Sequence, residues 1–359
     1  MKNLYCILLL FLTYISYAND GVYLTHGGVI YPTKETKIAL EKEILSFKVS
    51  PEGIASVTIQ FTFNNPENIS RKLLIGFQAP TAVGDVSNEM KNRNQISNFI
   101  ILQNEKILPY EIKKTECENC ELKNVNEIDF VETEVGVFVY LFEITFKPGM
   151  NEIQHSYEFP YSSNVAINEF YNYILTTGSK WAGGKIKDLT ITIDMGKNSY
   201  FYVNDIFDKN TEWSIIGTGK VTQDKFDYID NDFCKMIRIL NGYLQIKCYQ
   251  FEPKKNIEFG IVNKLSFITY PIHHEKIKEG KIVSLGKMQL DGNYSKNELR
   301  LMRNTIYAQY GYVFNTPDLK EYFSQFGWYI PNPNLKMEDI QLEQFEKDFI
   351  EKIISKENQ

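Results

Sequence analysis

Three kinds of residue in this 359-residue chain could do chemistry: cysteines, paired arginines, and loops rich in glycine or histidine. Beyond the first eighteen residues the cysteines are Cys117, Cys120, Cys234 and Cys248. A Cys-x-x-Cys pair is reactive where positive surroundings favour the thiolate, but Glu116, Glu118 and Glu121 crowd Cys117 and Cys120. Zinc would need a second close pair, and Cys234 stands too far from Cys248 in sequence. In an oxidising compartment an even count predicts two disulfides, Cys117–Cys120 and Cys234–Cys248, the latter joining two candidate strands. Gly178 to Lys185 comes within one residue of a phosphate-binding loop. However, Gly184 separates the glycine from the lysine, Ile186 replaces the required hydroxyl, and a strand pattern follows. The stretch reads as a glycine-rich hairpin. Trp181 on it is either a core residue or a stacking surface for a sugar ring or a partner.

The remaining motifs lack their counterparts. His26-Gly27-Gly28 resembles an oxyanion-hole loop, yet no Gly-x-Ser-x-Gly elbow accompanies it. Ser284 and Lys287 have a Ser-x-x-Lys spacing without the partner motifs. His155 falls in an alternating run that suits a strand. His273 and His274, as neighbours, would point to opposite faces of one. No metal site and no cofactor is expected, and acidic residues are too numerous to nominate a catalytic pair. Arg300 and Arg303, with Asn304 beside them, are the best binding candidates. Lying three apart on one helix near Tyr307, Tyr312, Trp328 and Tyr329, they could grip a carboxylate of a peptidoglycan stem peptide or a protein partner. The plain alternative pairs them with acids such as Asp318 or Glu321.

These arginines sit in the stretch that organises the chain's end. Ser295 and Glu298 form a capping box. Leu299, Met302, Ile306 and Tyr310 follow at helical spacing, and Gly311 stands where a left-handed cap would end the helix. Thr316-Pro317-Asp318 starts a second helix that stops before Gly327 and Trp328. Leu342, Phe345, Phe349, Ile350 and Ile353 predict a third. Three helices would then wrap Tyr307, Phe314, Tyr322, Phe323, Trp328 and Tyr329.

Upstream, alternation dominates. Val57, Ile59, Phe61 and Phe63 are separated by polar residues, as are Leu189, Ile191 and Ile193. More than ten short strands are expected between residues 19 and 272, with Asn241-Gly242 as a two-residue hairpin turn between two runs. The fold class expected is mostly β with a small α module. An antiparallel β-sandwich, one large or two packed, precedes a three-helix domain at 293–359, with a linker at 273–292.

The stretch from Asn293 to Pro331 resembles the YARHG domain, a family of small exported bacterial modules. Glu298, Leu299, Arg300, Arg303, Asn304, Ile306, Tyr307, Ala308, Gly311, Tyr312, Phe314, Leu319, Tyr322, Phe323, Trp328, Tyr329 and Pro331 carry the likeness. Gln309 and Tyr310 replace the Arg and His of the signature run, and the resemblance implies no activity. Leu24 to Gly28, together with Tyr173 to Gly178 and Trp181, make the β region similar to a family of exported bacterial β-domains of no known function.

Residues 1–18 read as a signal peptide, with Lys2, an apolar core from Leu4 to Ile15, and Ser16-Tyr17-Ala18 as the cleavage site. The apolar run is shorter than the ~20 residues a bilayer needs. Cleavage after Ala18 would leave a periplasmic or secreted chain with no membrane span. The chain has 39 Lys+Arg against 45 Asp+Glu, a net charge of −6, and an acidic balance argues against nucleic acid as a partner. The function expected is non-enzymatic: an envelope protein that binds peptidoglycan or another envelope protein. The competing reading is an envelope hydrolase with an acidic site in the β region.

Overall fold

The computed structural model describes residues 26–28, 31–32, 36–80, 93–115, 137–162, 169–208, 211–229, 232–261, 290 and 293–358. The expected signal peptide, Cys117 and Cys120, the strand expected at 265–272, and nearly all of the 273–292 linker with its histidines and Ser284 lie outside the described residues.

Strands β1 (His26–Gly28), β2 (Tyr31–Pro32), β3 (Ala39–Val49), β4 (Ile54–Asn65) and β5 (Arg71–Pro80) come first. Next are β6 (Ser97–Gln103), β7 (Lys106–Ile107), β8 (Glu111–Thr115), β9 (Val137–Phe146) and β10 (Gly149–Pro160). Then follow β11 (Glu169–Ile174), β12 (Ile186–Asp194), β13 (Ser199–Asn204), β14 (Ser214–Ile229), β15 (Asp232–Phe251) and β16 (Ile257–Ile261). Alternation decides which way they face: Ala55, Val57, Ile59, Phe61 and Phe63 of β4 are buried, while the residues between them point outward.

Twelve strands form one sheet in the order β1-β11-β16-β13-β15-β12-β3-β4-β10-β6-β7, with β14 also on β15. Strands β2-β5-β9-β8 form a second. Most pairs are antiparallel, as expected, but β1 with β11 and β3 with β12 are parallel. The large sheet folds over on itself. Phe47 of β3 meets Tyr173 of β11 and Phe259 of β16 at ring distances of 5.4 and 5.1 Å, although these strands lie far apart in the hydrogen-bonded order. The smaller sheet completes the opposing layer: Phe146 of β9 packs on Phe63, and Phe77 of β5 on Tyr157. One continuous apolar core joins both sheets, so the architecture is a single large sandwich.

The fold-over occurs on β15. Its first half pairs with β13 and its second with β12, while β14 runs along both. Strands β12 and β13 therefore lie end to end on one edge, and the layer changes between Ile239 and Leu244. Here the structure corrects the hairpin expected at Asn241-Gly242, because these residues lie inside one continuous strand. Gly217 and Gly242, both with positive φ, face each other, and a Cβ on either would collide with the opposing backbone. Glycine serves here for close approach of two chains, not for a turn. Leu240 is an extra residue without a register partner on β14, which makes this a β-bulge.

The Cys234–Cys248 disulfide is overturned too, because both cysteines lie on β15 at about 3.3 Å per residue, far beyond disulfide reach, and the bulge adds a second obstacle. It shifts the inward parity of β15 from Ile237 and Ile239 to Leu244, Ile246 and Cys248. Cys234 consequently faces the other side of the sheet with Met236. The two sulfurs are buried on opposite faces, fourteen positions apart along one strand, and are not joined. Trp181 is likewise not displayed on a hairpin. A 3-10 turn, Thr176–Lys180, carries it into the sandwich against Phe63 and Phe146, where it is 1% exposed.

Two titratable groups are sealed inside. His155 lies among Phe77, Phe99 and Tyr157, and burial pushes its pKa down to about 3. Glu43 is fully buried beside the Tyr173 hydroxyl, and burial pushes its pKa up to about 8, only partly countered by that hydrogen bond. A carboxyl whose pKa is raised on folding contributes stability that is intact below its unfolded value and is lost as pH rises through the folded one. Glu43→Gln is therefore expected to equal the parent at pH 5 and to exceed it by a few kcal/mol at pH 9. Urea unfolding at the two pH values measures this, and a constant difference between parent and variant would exclude Glu43 as the source.

Candidate functional site

The C-terminal helices are α1 (Lys296–Gln309), α2 (Pro317–Ser324) and α3 (Gln344–Glu357). The Ser295–Glu298 capping box is formed at the start of α1. Leu299, Met302 and Ile306 meet Phe349, Ile350 and Ile353 of α3 in a small interior of their own. The aromatic set expected to be private to the module is instead shared. Phe314, Phe323, Phe326, Trp328 and Tyr329 close on Phe170, Tyr200, Tyr202, Cys234 and Met236 of the sheet.

The arginines expected to bind are engaged within the module. Arg300 pairs with Asp318 at 2.5 Å, tying α1 to α2, and Arg303 pairs with Glu357 at 3.2 Å, tying α1 to α3. The Asn304 amide donates back to the Arg300 carbonyl. Tyr307 packs against both apolar clusters, while Trp328 and Tyr329 are buried. The Tyr329 hydroxyl donates to the Tyr312 carbonyl at 2.8 Å. The structure thus gathers these residues, apart from Trp181, into the framework of the module.

A second set, not singled out by type or spacing, links module and sheet. Arg238 of β15 is 3% exposed, and its guanidinium donates to the Ser199 carbonyl, the Asn198 side chain and the Gln309 carbonyl. All three acceptors are neutral. Burial lowers its pKa to about 10. The Gln309 carbonyl is among the last of α1, where a helix dipole favours a cation. One residue on, the Tyr310 hydroxyl donates at 2.5 Å to Glu346, a carboxylate buried at the start of α3. Burial and that carboxylate raise the Tyr310 pKa far above the usual phenol value. Gln309 and Tyr310 stand where the signature run has Arg and His, so the departures fall on the contact with the sheet.

Beside this link opens a cleft of about 430 Å³ between the β15 bulge and the segment after Tyr329. Asn198, Asn241, Asn332, Thr218 and Tyr310 line it together with the apolar residues Leu240, Ile330, Pro331 and Pro333. The signal in the sequence was Asn241-Gly242 itself, whose bulge forms one wall. Elsewhere on the sheet Glu258 is pushed up to about 7 by burial, against its hydrogen bonds with Tyr202 and Asn172. No cluster of His, Cys, Asp and Glu suited to a metal occurs among the described residues.

Gly311 holds the cleft's far wall in place. Its φ is +87°, an added Cβ would lie 2.6 Å from the Ile330 carbonyl, and its own carbonyl accepts from Asn332 at 2.8 Å. Gly311→Ala is expected to cost about 1–3 kcal/mol, read as a lower urea midpoint. An unchanged midpoint would show that the wall yields freely.

The YARHG domain model matches residues 285–358. No curated protein matches the chain in sequence. Among solved structures, a Legionella pneumophila protein described as a candidate nutrient binding protein superposes with a TM-score of 0.56 at 20% identity, over 94% of this chain and all of that one. That likeness shows the fold, sheet and helices together. An M1 zinc metallopeptidase from Deinococcus radiodurans aligns at a TM-score of 0.27 and 9% identity, over 62% of this chain and 42% of that one, too low to carry an argument. Among the described residues no helix is long and apolar enough to cross a membrane. The helices α1 to α3 fall within residues 285–358, the stretch that matches the YARHG domain, and are seated on one face of a large β-sandwich.

Proposed function

We propose that the protein is an exported, non-enzymatic binding protein of the bacterial envelope, and that it holds a peptidoglycan component or another envelope ligand in the cleft between sandwich and YARHG domain. The observation that carries this reading is the cleft's composition. It joins amides and hydroxyls to apolar surface, the mixture of a small-ligand site, in the usual size range. None of its side chains changes protonation near neutral pH: asparagine and threonine do not titrate, and Tyr310 is held protonated. Such a wall can orient a ligand but cannot shuttle protons for it.

Two further facts support it. The cleft is built from both parts of the chain, so neither sandwich nor helices would make it alone. The Legionella protein of the same fold is described as nutrient binding, which fits this class of role. In this reading the leader of residues 1–18 delivers the chain to the periplasm or beyond. Arg300 and Arg303 serve to hold α2 and α3 on α1.

The test is co-sedimentation of the protein lacking residues 1–18 with purified peptidoglycan sacculi and with periplasmic extract. Thr218 is exposed on β14, so Thr218→Trp fills the cleft without entering the core. The parent is expected to be retained and the variant to lose retention by about tenfold or more, at unchanged melting temperature. Equal retention of both proteins, or of neither, would overturn the cleft as the binding site.

A further inference from the structure

We infer that the cleft selects an uncharged ligand bearing hydroxyl and amide groups, of the N-acetylated amino-sugar class, over the anionic peptides of the same envelope material. This selectivity rests on the cleft being the binding site and follows from what its wall can recognise.

Hydrogen-bonding capacity comes first. The Asn198 side-chain oxygen is taken by Arg238, and the Asn332 side-chain oxygen accepts from the Asn334 N–H at 3.1 Å. Their –NH2 groups have no described partner and remain as donors. Tyr310 commits its proton to Glu346, so its oxygen is left as an acceptor. Asn241 and Thr218 can do both. The residues lining one small volume thus offer both donors and acceptors, which suits a sugar hydroxyl, itself donor and acceptor, and an acetamido group with one of each.

Charge comes second. Among the described residues no Asp, Glu, Lys or Arg lines the cleft. The two buried charged groups nearest it are already engaged: Arg238 by three neutral oxygens, Glu346 by the Tyr310 hydroxyl and the Glu343 N–H. A peptide carboxylate entering would give up part of its hydration without gaining a cation. A neutral sugar exchanges water hydrogen bonds for amide ones at little net cost. The apolar members, Leu240 and Ile330 among them, then meet the C–H faces of the ring.

The experiment titrates the chain lacking residues 1–18, by calorimetry, with three probes: N,N′-diacetylchitobiose, the same disaccharide without acetyl groups, and an alanyl-glutamate peptide. Asn332→Asp keeps the side-chain acceptor for Asn334 and so preserves the turn, while it removes the donor and adds a negative charge. Circular dichroism confirms that it is folded. Saturable binding of the acetylated disaccharide alone is expected, weakened about tenfold or more by Asn332→Asp and abolished by Thr218→Trp. If the peptide binds in a Thr218→Trp-sensitive way and the sugar does not, the ligand class is wrong and the binding reading stands. The ligand class is equally wrong if sacculi are retained through the cleft while no probe binds. Sugar binding indifferent to both variants overturns the inference, and loss of cleft-dependent retention of every envelope fraction overturns both readings.

Discussion

The structure depends on one close crossing of two backbones. Where Gly217 of β14 meets Gly242 of β15, the chains approach to a distance that no side chain could share. That contact lets a twenty-residue strand pass from one layer to the other without breaking its hydrogen-bonded ladder. Folding over at this point brings Tyr173 and Phe259 onto Phe47 and creates the core. It also inverts the facing of β15, turning Cys234 and Met236 outward to receive the helices. A sheet this wide needs such a corner, because an open twisted sheet has no other way to bury an apolar face on itself.

The helices are fastened at that corner by groups of opposite character. Aromatic rings from both parts share one apolar cluster and supply non-directional burial, and within the module Phe326 is stacked on Trp328 and Phe314 on Phe323. Register comes from Arg238, whose fork of donors reaches the carbonyl of Gln309 at the end of α1. A buried guanidinium without a carboxylate partner is costly. It is tolerated because each acceptor is fixed by the backbone or by Asn198, and because the end of a helix carries partial negative charge. The cleft lies beside this fastening and shares Asn198 and Tyr310 with it. Cleft and junction are thus one construction, with walls from both halves of the chain.

This arrangement explains why each arginine of the pair is engaged by an acid of the module while its side chain stays 33% exposed. Arg300 and Arg303 face α2 and α3, and in a three-helix unit this small each spare cation on an inward shoulder is used to join elements. The residues lining the cleft are instead amides, a threonine, a tyrosine and apolar residues, three of them also hydrogen-bonded within the chain.

Local patterns determined much by themselves. Period-two alternation in β4 and β12, the capping box at Ser295, Pro317 at the head of α2 and the Gly311 stop were all legible, because each reflects contacts within a few residues. The same locality made Asn241-Gly242 read as a turn: the dipeptide signals positive φ, and only a second strand lying across it shows that the glycine is needed for approach. The disulfide failed for the same reason, since without a turn at Asn241-Gly242 the two cysteines lie fourteen positions apart on one extended strand and cannot meet. Trp181 and the module's aromatic residues declared themselves as large and apolar, but whether such a ring meets its own domain, a neighbouring layer or solvent is set by contacts distant in sequence. The cleft was invisible for the deepest version of that reason, because its walls come from β13, β14, β15 and the segment after Tyr329, and tertiary packing alone makes them neighbours.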